Sequence, residues 1–187
     1  MTKICAVIMA GGVGTRFWPR SREKFPKHLL HIVGKETMIQ DTLKRLEGLV
    51  SPDSTFIVTN RLQKAQVAKL LPHVPEENLI TEPVGRNTAP CIGLAALHVR
   101  RVDPAAVMIV LPADHAIRDE AEFRRVLTLA ADTAEQSGSL LTIGIEPTHP
   151  ETGYGYIQFV DEDGAQNPYF GRGVLKVKTF AEKPNNN

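Results

Sequence analysis

The sequence predicts an α/β fold, in which a mixed, mostly parallel sheet carries helices on both faces. Three observations support that expectation. Short, almost wholly apolar runs such as Ile4 to Met9 suit strands buried on both faces. Between these runs, apolar residues recur at helical spacing, as in Ile39, Leu43, Leu46 and Val50. Strand and helix then keep alternating through most of the chain, the order that crossover connections between parallel strands require.

Taken in order, Ile4 to Met9 is the first strand, and the helix around Ile39 to Val50 is stopped by Ser51-Pro52. Thr55 to Thr59 is a second strand, Gln63 to Leu71 a short helix ended by Pro72, and Asn78 to Thr81 a third strand. Thr88 is placed to cap a helix that tolerates Pro90 in its first turn and runs to about Arg101. Val107 to Leu111 reads as another buried strand. Phe123, Val126, Leu127, Ala130, Ala131 and Ala134 share a helical face closed by Gly138, and Leu140 to Ile145 is expected to complete the alternating series. Beyond it the pattern changes. Tyr154 to Phe159 and Val174 to Phe180 read as strands without a helix between them, so they are expected to extend or edge the sheet as antiparallel or mixed strands. Asn185-Asn186-Asn187 follows a strand with no closing element. The expectation is therefore one domain over residues 1–187, cut short at its C-terminus.

The chain has 187 residues, 42% of them hydrophobic, which is ample for a core. Lys and Arg number 22 against 21 Asp and Glu, a net charge of +1, so no bulk charge draws the protein to nucleic acid or an acidic membrane. Anion specificity must come from a local arrangement. Cys5 and Cys91 sit among small apolar neighbours and read as buried thiols. No segment reaches the length of a bilayer span and no signal peptide precedes the first strand, so a soluble, cytoplasmic protein is expected.

The first strand runs into Ala10-Gly11-Gly12-Val13-Gly14-Thr15-Arg16, followed by Pro19, Lys24, Pro26 and Lys27. Glycines at such a place let backbone N–H groups surround phosphate oxygens with no Cβ in the way. A Walker P-loop would need Gly-Lys-Ser/Thr directly before a helix, and it is absent. A dinucleotide fingerprint would need a third glycine and an immediate helix, where Phe17, Trp18 and Pro19 stand instead. What remains is a longer basic loop in which Arg16 offers a planar fork and Lys27 a compact charge, a pair suited to a triphosphate.

Four further segments carry chemistry. Glu82-Pro83-Val84-Gly85-Arg86-Asn87-Thr88-Ala89-Pro90 lies between a strand end and a helix start, where open α/β sheets bind ligands. Asp114 in Leu111-Pro112-Ala113-Asp114-His115 stands at a strand's C-terminal end, as a hard cation's oxygen ligand would. Asp-His invites zinc, but no other His or Cys lies at ligand spacing. Toward the end of the chain, Glu151-Thr152-Gly153-Tyr154-Gly155-Tyr156 places glycines beside aromatics, and a glycine in a strand marks close approach of a ligand or another backbone. In Phe180-Ala181-Glu182-Lys183-Pro184 the carboxylate can accept hydrogen bonds from hydroxyl groups and the lysine can meet a phosphate.

The run from Ala10 to Lys27 resembles the signature of the sugar-1-phosphate nucleotidyltransferase family. Gly-Thr-Arg-Phe-Trp-Pro with the later Pro26-Lys27 is similar to its guanylyltransferase branch in particular. Gln commonly follows the Lys in that branch, where this chain has His28. The Glu82 to Pro90 block matches the branch almost without change, and Phe180 to Pro184 matches its Phe-x-Glu-Lys-Pro. The resemblance spans essentially the whole chain and implies a Rossmann-like nucleotidyltransferase fold. It also implies transfer of GMP from GTP to mannose 1-phosphate, giving GDP-mannose and pyrophosphate. Arg16, Lys27 and Asp114 would be the catalytic groups. The nucleotide would meet Gly11, Gly12, Gly14, Thr15, Arg16, Lys27, Glu82, Arg86, Asn87 and Thr88. Guanine needs acceptors beside its N1–H and N2–H and a donor for O6, which Glu82, Asn87 and nearby backbone can supply, while Arg86 equally suits a phosphate. Tyr154, Gly155, Glu182 and Lys183 would hold the sugar phosphate. The resemblance assigns Mg2+ to Asp114 with a second Asp beyond Asn187. A homodimer is compatible with it, and the sequence itself does not fix the oligomeric state. Two alternatives stay open: a nucleotidyltransferase for another sugar or base, and a non-catalytic regulatory subunit that binds nucleotide sugars.

Overall fold

Alternate side chains of the first strand enter two separate cores, and this sets the layers of the sheet. The computed structural model describes residues 3–12, 18–22, 26–32, 35–160 and 169–181. β1 (Ile4–Met9) pairs in parallel with β2 (Thr55–Asn60) on one side and with the later strand Val107–Pro112 on the other. Leu79–Glu82 is β3, which adds in parallel to β2, so with Val107–Pro112 as β4 the order is β3-β2-β1-β4. Every strand in this sheet runs the same way, as the alternating pattern requires.

On one face Ala6, Ile8, Ile57, Ile109 and Leu111 pack beneath α1 (Met38–Lys44) and α2 (Lys64–Leu70). Leu127 of α4 (Glu120–Ser137) joins the same cluster. On the other face Cys5, Val7, Phe56, Val58 and Ile80 are covered by Cys91, Ala95 and Val99 of α3 (Thr88–Val102). Those three helical residues recur every fourth position and so form one stripe. Both thiols are buried and free. Burial pushes the Cys5 thiol up and the Cys91 thiol to about 11, so neither is poised to react.

The chain divides into two compact units, Met1–Ala131 and Asp132–Asn187. In the second, β5 (Tyr156–Val160) and β6 (Lys176–Ala181) pair antiparallel with each other as a two-stranded sheet. Among the described residues, no helix is long and apolar enough to cross a membrane.

Among the described residues β5 and β6 pair only with each other and do not extend the parallel sheet as expected. Local structure departs from the expectations at further places. The first helix stops at Lys44 rather than reaching Val50. Beyond it Leu46, Glu47 and Leu49 donate to carbonyls only three residues back, and Gly48 takes a φ of 82° that ends the spiral. Asn87, not Thr88, caps α3, accepting the Thr88 N–H at 2.9 Å. Its φ of 69° and ψ of −168° are a combination that only glycine adopts freely. Val107 to Pro112 is an edge strand, so Ile109 and Leu111 are buried while Met108 and Val110 are half-buried. Leu140 to Ile145 forms no strand. Apolar content favours a strand only when a neighbouring strand supplies the ladder, and no such pairing reaches this segment among the described residues. Its Leu140 and Ile145 side chains are exposed.

Ile57 lies in the central pair of strands with no exposed surface, surrounded by the first core. Truncation to alanine is expected to cost about 2–5 kcal/mol, the range for buried large-to-small changes. Urea unfolding would show it as a lower midpoint with an unchanged slope, and a midpoint within error of the parent would contradict this packing.

Candidate functional site

Parallel strands deliver their C-terminal ends to one edge, and the register fixes which residues leave it side by side. Met9 stands opposite Pro112, so Gly11 and Asp114 each follow two residues beyond that last pair. The loop bases are tied directly: Ala10 N–H donates to the Val58 carbonyl (2.7 Å) and Ala113 N–H to the Met9 carbonyl (3.1 Å). The Thr59 hydroxyl, fully buried, donates to the Ala10 carbonyl at 3.1 Å. The start of the glycine loop is thus held by β2 through both backbone and side chain.

Glu82 ends β3 opposite Asn60, and its carboxylate reaches to Gly11. A Cβ at Gly11 would stand 2.7 Å from Glu82 Oε2, so the absence of a side chain is what admits the carboxylate. Burial raises the Glu82 pKa. Two segments that the sequence suggests separately, the glycine turn and the Glu82 block, therefore meet. Gly12 has open space above it. Arg86, Asn87 and Thr88 are exposed at the start of α3, where the helix dipole favours an anion or an electron-rich edge.

Lys27 and Asp114 form the second meeting point. Lys27 Nζ lies 3.2 Å from Asp114 Oδ2 and donates also to the Asp114 carbonyl at 3.3 Å, across 87 residues of sequence. The ammonium is 25% exposed and the carboxylate 42%, so a ligand can reach both. One accessible carboxylate suits Mg2+, which commonly takes one or two and completes its shell with phosphate oxygens and water. Among the described residues there is no group of three or more His, Cys, Asp or Glu side chains that could enclose a metal.

His28, beside Lys27, is buried. Burial drives its pKa down to about 4, against the opposing pull of the Asp114 charge and a hydrogen bond with Gln63. It is a neutral imidazole at pH 7, and its Nε2 has no hydrogen-bond partner among the described residues. It therefore adds no charge to the Lys27–Asp114 pair.

In the second unit, Tyr154 and Gly155 occupy a turn before β5 rather than the strand itself, and Tyr154 is 69% exposed. The turn is organised by Glu151 and Tyr156. The Glu151 carboxylate accepts the Gly153 N–H (2.9 Å), while the Tyr156 hydroxyl accepts from the Glu151 N–H (2.8 Å) and donates to the Glu151 carbonyl (2.9 Å). Gly14, Thr15 and Arg16 of the glycine loop and Glu182 and Lys183 near the end lie outside the described residues.

Sequence reading passes over Arg45, Thr59 and Gln63, all buried polar side chains near this edge. The available signal for Arg45 is its place on the helical face of Met38 and Thr42, where a charge has to find partners.

Known proteins resemble this chain over nearly its whole length. Residues 5–187 match the model of the family described as nucleotidyl transferase. The xanthan biosynthesis protein XanB of Xanthomonas campestris pv. campestris (strain B100) is 44% identical over 186 residues, covering 98% of this chain and 38% of that protein. A mannose-1-phosphate guanylyltransferase of Escherichia coli is 43% identical over 183 residues, covering 96% and 38%. This chain thus spans well under half the length of either relative. A crystal structure described as mannose-1-phosphate geranyltransferase from Thermus thermophilus superposes with a TM-score of 0.83 at 37% identity, over 98% of this chain and 51% of that one.

The neutral state of His28 has a measurable consequence. Its folded pKa, about 4, lies below that of an unfolded-chain histidine near 6.5. Between those values the unfolded state binds a proton that the folded state refuses, so stability falls as pH drops through the window and levels off below it. The contribution is on the order of 3 kcal/mol. In urea unfolding at pH 7 and at pH 4.5, His28→Gln should lose distinctly less stability than the parent. Equal losses would contradict the buried neutral ring.

Proposed function

The chain belongs to the nucleotidyl transferase family, and from that premise we propose that it transfers GMP from GTP to mannose 1-phosphate, giving GDP-mannose and pyrophosphate. The observation that carries this reading is the Lys27–Asp114 pair, set at the C-terminal edge of a parallel sheet beside a glycine turn. A cation and a carboxylate there are what a nucleoside triphosphate with its divalent cation needs.

In the proposed reaction a phosphate oxygen of mannose 1-phosphate attacks the α-phosphorus of GTP in line. A new P–O bond forms, the bond to the β-phosphate oxygen breaks, and the electron pair leaves with pyrophosphate. No side chain has to act as nucleophile. The chain's part is to place two anions in contact and neutralise their charge. Lys27 would hold the triphosphate, with Arg16 as its second cation and the amides of Gly11 and Gly12 lining the turn. Asp114 would carry Mg2+, which when bound neutralises phosphate oxygens. On binding, Lys27 would exchange part of its contact with Asp114 for phosphate oxygens, so the resting pair keeps both groups near the place where they are used.

Selectivity for guanine would fall to Glu82 and the Asn87 turn. A carboxylate at a strand end accepts from N1–H and N2–H together, and adenine, uracil and thymine offer no such pair of donors. Tyr154, Gly155, Glu182 and Lys183 are assigned to the sugar phosphate on the same reading.

Calorimetry with Mg2+ tests the assignment. GTP should bind at least about tenfold more tightly than UTP or dTTP, since an unmatched buried polar group costs about 1–3 kcal/mol. Lys27→Ala should weaken GTP roughly tenfold to a hundredfold by removing a charge-assisted contact. Equal affinity for the three nucleotides would end the guanine assignment, and an unaffected Lys27→Ala would end the phosphate role of the lysine.

A further inference from the structure

We propose that Arg45 is a positioning residue for the Asp114 carboxylate, holding the loop that carries it through the carbonyl of His115. The inference rests on the reading of Asp114 as the carboxylate that meets the nucleotide's divalent cation.

Arg45 caps the C-terminal end of α1 and is 4% exposed. Its guanidinium remains charged at any working pH, and taking such an ion out of water costs several kcal/mol. Among the described residues no carboxylate pairs with it directly, though the nearby Asp41 and Glu120 charges offset part of that cost. Three neutral oxygens meet the fork instead. Nε donates to the Asp41 carbonyl at 3.1 Å, and Nη2 donates to Thr42 Oγ1 at 3.2 Å and to the His115 carbonyl at 2.7 Å. The first two acceptors belong to the helix that Arg45 itself ends. The third spans 70 residues and is the shortest of the three.

Removing the guanidinium alone would leave its acceptor oxygens without a donor, which is costly for a buried group. Two of those oxygens lie on its own helix, so the bond that reaches beyond α1 is the one to the His115 carbonyl. That carbonyl belongs to the residue next to Asp114. On the other flank, Ala113 N–H is tied to the Met9 carbonyl at 3.1 Å. Asp114 is thus pinned through the residue before it and the residue after it, and its side chain projects from a backbone held on both sides. Lys27 meets it from a third segment. The backbone of Arg45 is fixed in turn, because Arg124 of α4 donates to its carbonyl at 3.1 Å and pairs with Glu120 at 3.5 Å. The ends of α1, α4 and the Asp114 loop form one clamp with the Arg45 guanidinium at its centre.

Such a clamp matters for a carboxylate that must serve Mg2+, whose octahedral shell at about 2.0–2.1 Å tolerates little displacement of an oxygen. A side chain that orients a ligand from behind typically changes metal affinity tenfold to a hundredfold when removed.

The test measures GTP binding by calorimetry as a function of Mg2+, and Mn2+ binding by electron paramagnetic resonance, in the parent, Arg45→Met, Asp114→Asn and the double variant. Arg45→Met should raise the Mg2+ concentration for half-maximal GTP binding about tenfold, weaken Mn2+ binding in parallel, and leave GTP binding in EDTA unchanged. In the Asp114→Asn background the same change should move the Mg2+ midpoint less than about twofold, because the carboxylate it positions is gone. An unshifted midpoint with a lowered melting temperature would make Arg45 purely structural and overturn the proposal. An equal shift in both backgrounds would overturn it too. Should Arg45→Met fail to fold, Arg45→Lys keeps the charge but cannot span all three oxygens, and an unchanged midpoint there would likewise overturn it. Failure of the underlying reading looks different: the parent itself would bind GTP without regard to Mg2+ or to Asp114→Asn.

Discussion

The parallel register of β1 with β4 is the constraint on which the site depends. With Ile4 opposite Val107 and Met9 opposite Pro112, the two chains leave the sheet at the same level and in the same direction. Gly11 and Asp114 follow as neighbours by arithmetic. Because side chains alternate across a strand, a slip of one residue would exchange the two cores of β1, sending Ala6 and Ile8 under α3 and Cys5 and Val7 under α1. Core and site are therefore specified by the same pairing. The apolar residues that make the register costly to change are also the ones that place a glycine turn beside a carboxylate.

Polar contacts then refine what the register places. Thr59 holds Ala10, Lys27 meets Asp114, and Arg45 meets His115, each from a different element. None of these bonds is local in sequence. Each therefore exists only once the sheet has formed, and each in turn restricts a loop that the sheet alone would leave adjustable. The Gly11–Glu82 approach works in the same way, since it requires β3 and β1 in place on either side of β2 and no Cβ between them.

Much of this was legible in the sequence because it is periodic or local. The buried strands at Ile4 and Thr55, the stripe of Cys91, Ala95 and Val99, and the closing Gly138 follow from spacing and from single-residue backbone preferences. The same holds for a glycine turn and a carboxylate at strand ends. What escaped is non-local. Leu140 to Ile145 has the composition of a strand, but composition cannot say whether a neighbour will offer it a ladder. The cap at Asn87 escaped because its backbone sits in a region that side-chain preference does not anticipate. Arg45 is passed over because its contact with the loop after β4 spans 70 residues of sequence.

His28 shows how chemistry at this edge is set by neighbours more than by residue type. Alone, a histidine next to a lysine and facing an aspartate would be expected to gain a proton, since Asp114 favours the charged ring. Burial opposes that and wins, leaving the ring neutral near Lys27. A second positive charge there would compete with Lys27 for the Asp114 carboxylate. A neutral ring avoids that competition while filling the volume under the loop. The cost is an unpaired Nε2, which is smaller for a neutral acceptor than for a buried charge. The packing that buries His28 thus acts on the site indirectly, by keeping the Lys27–Asp114 balance at one cation to one anion.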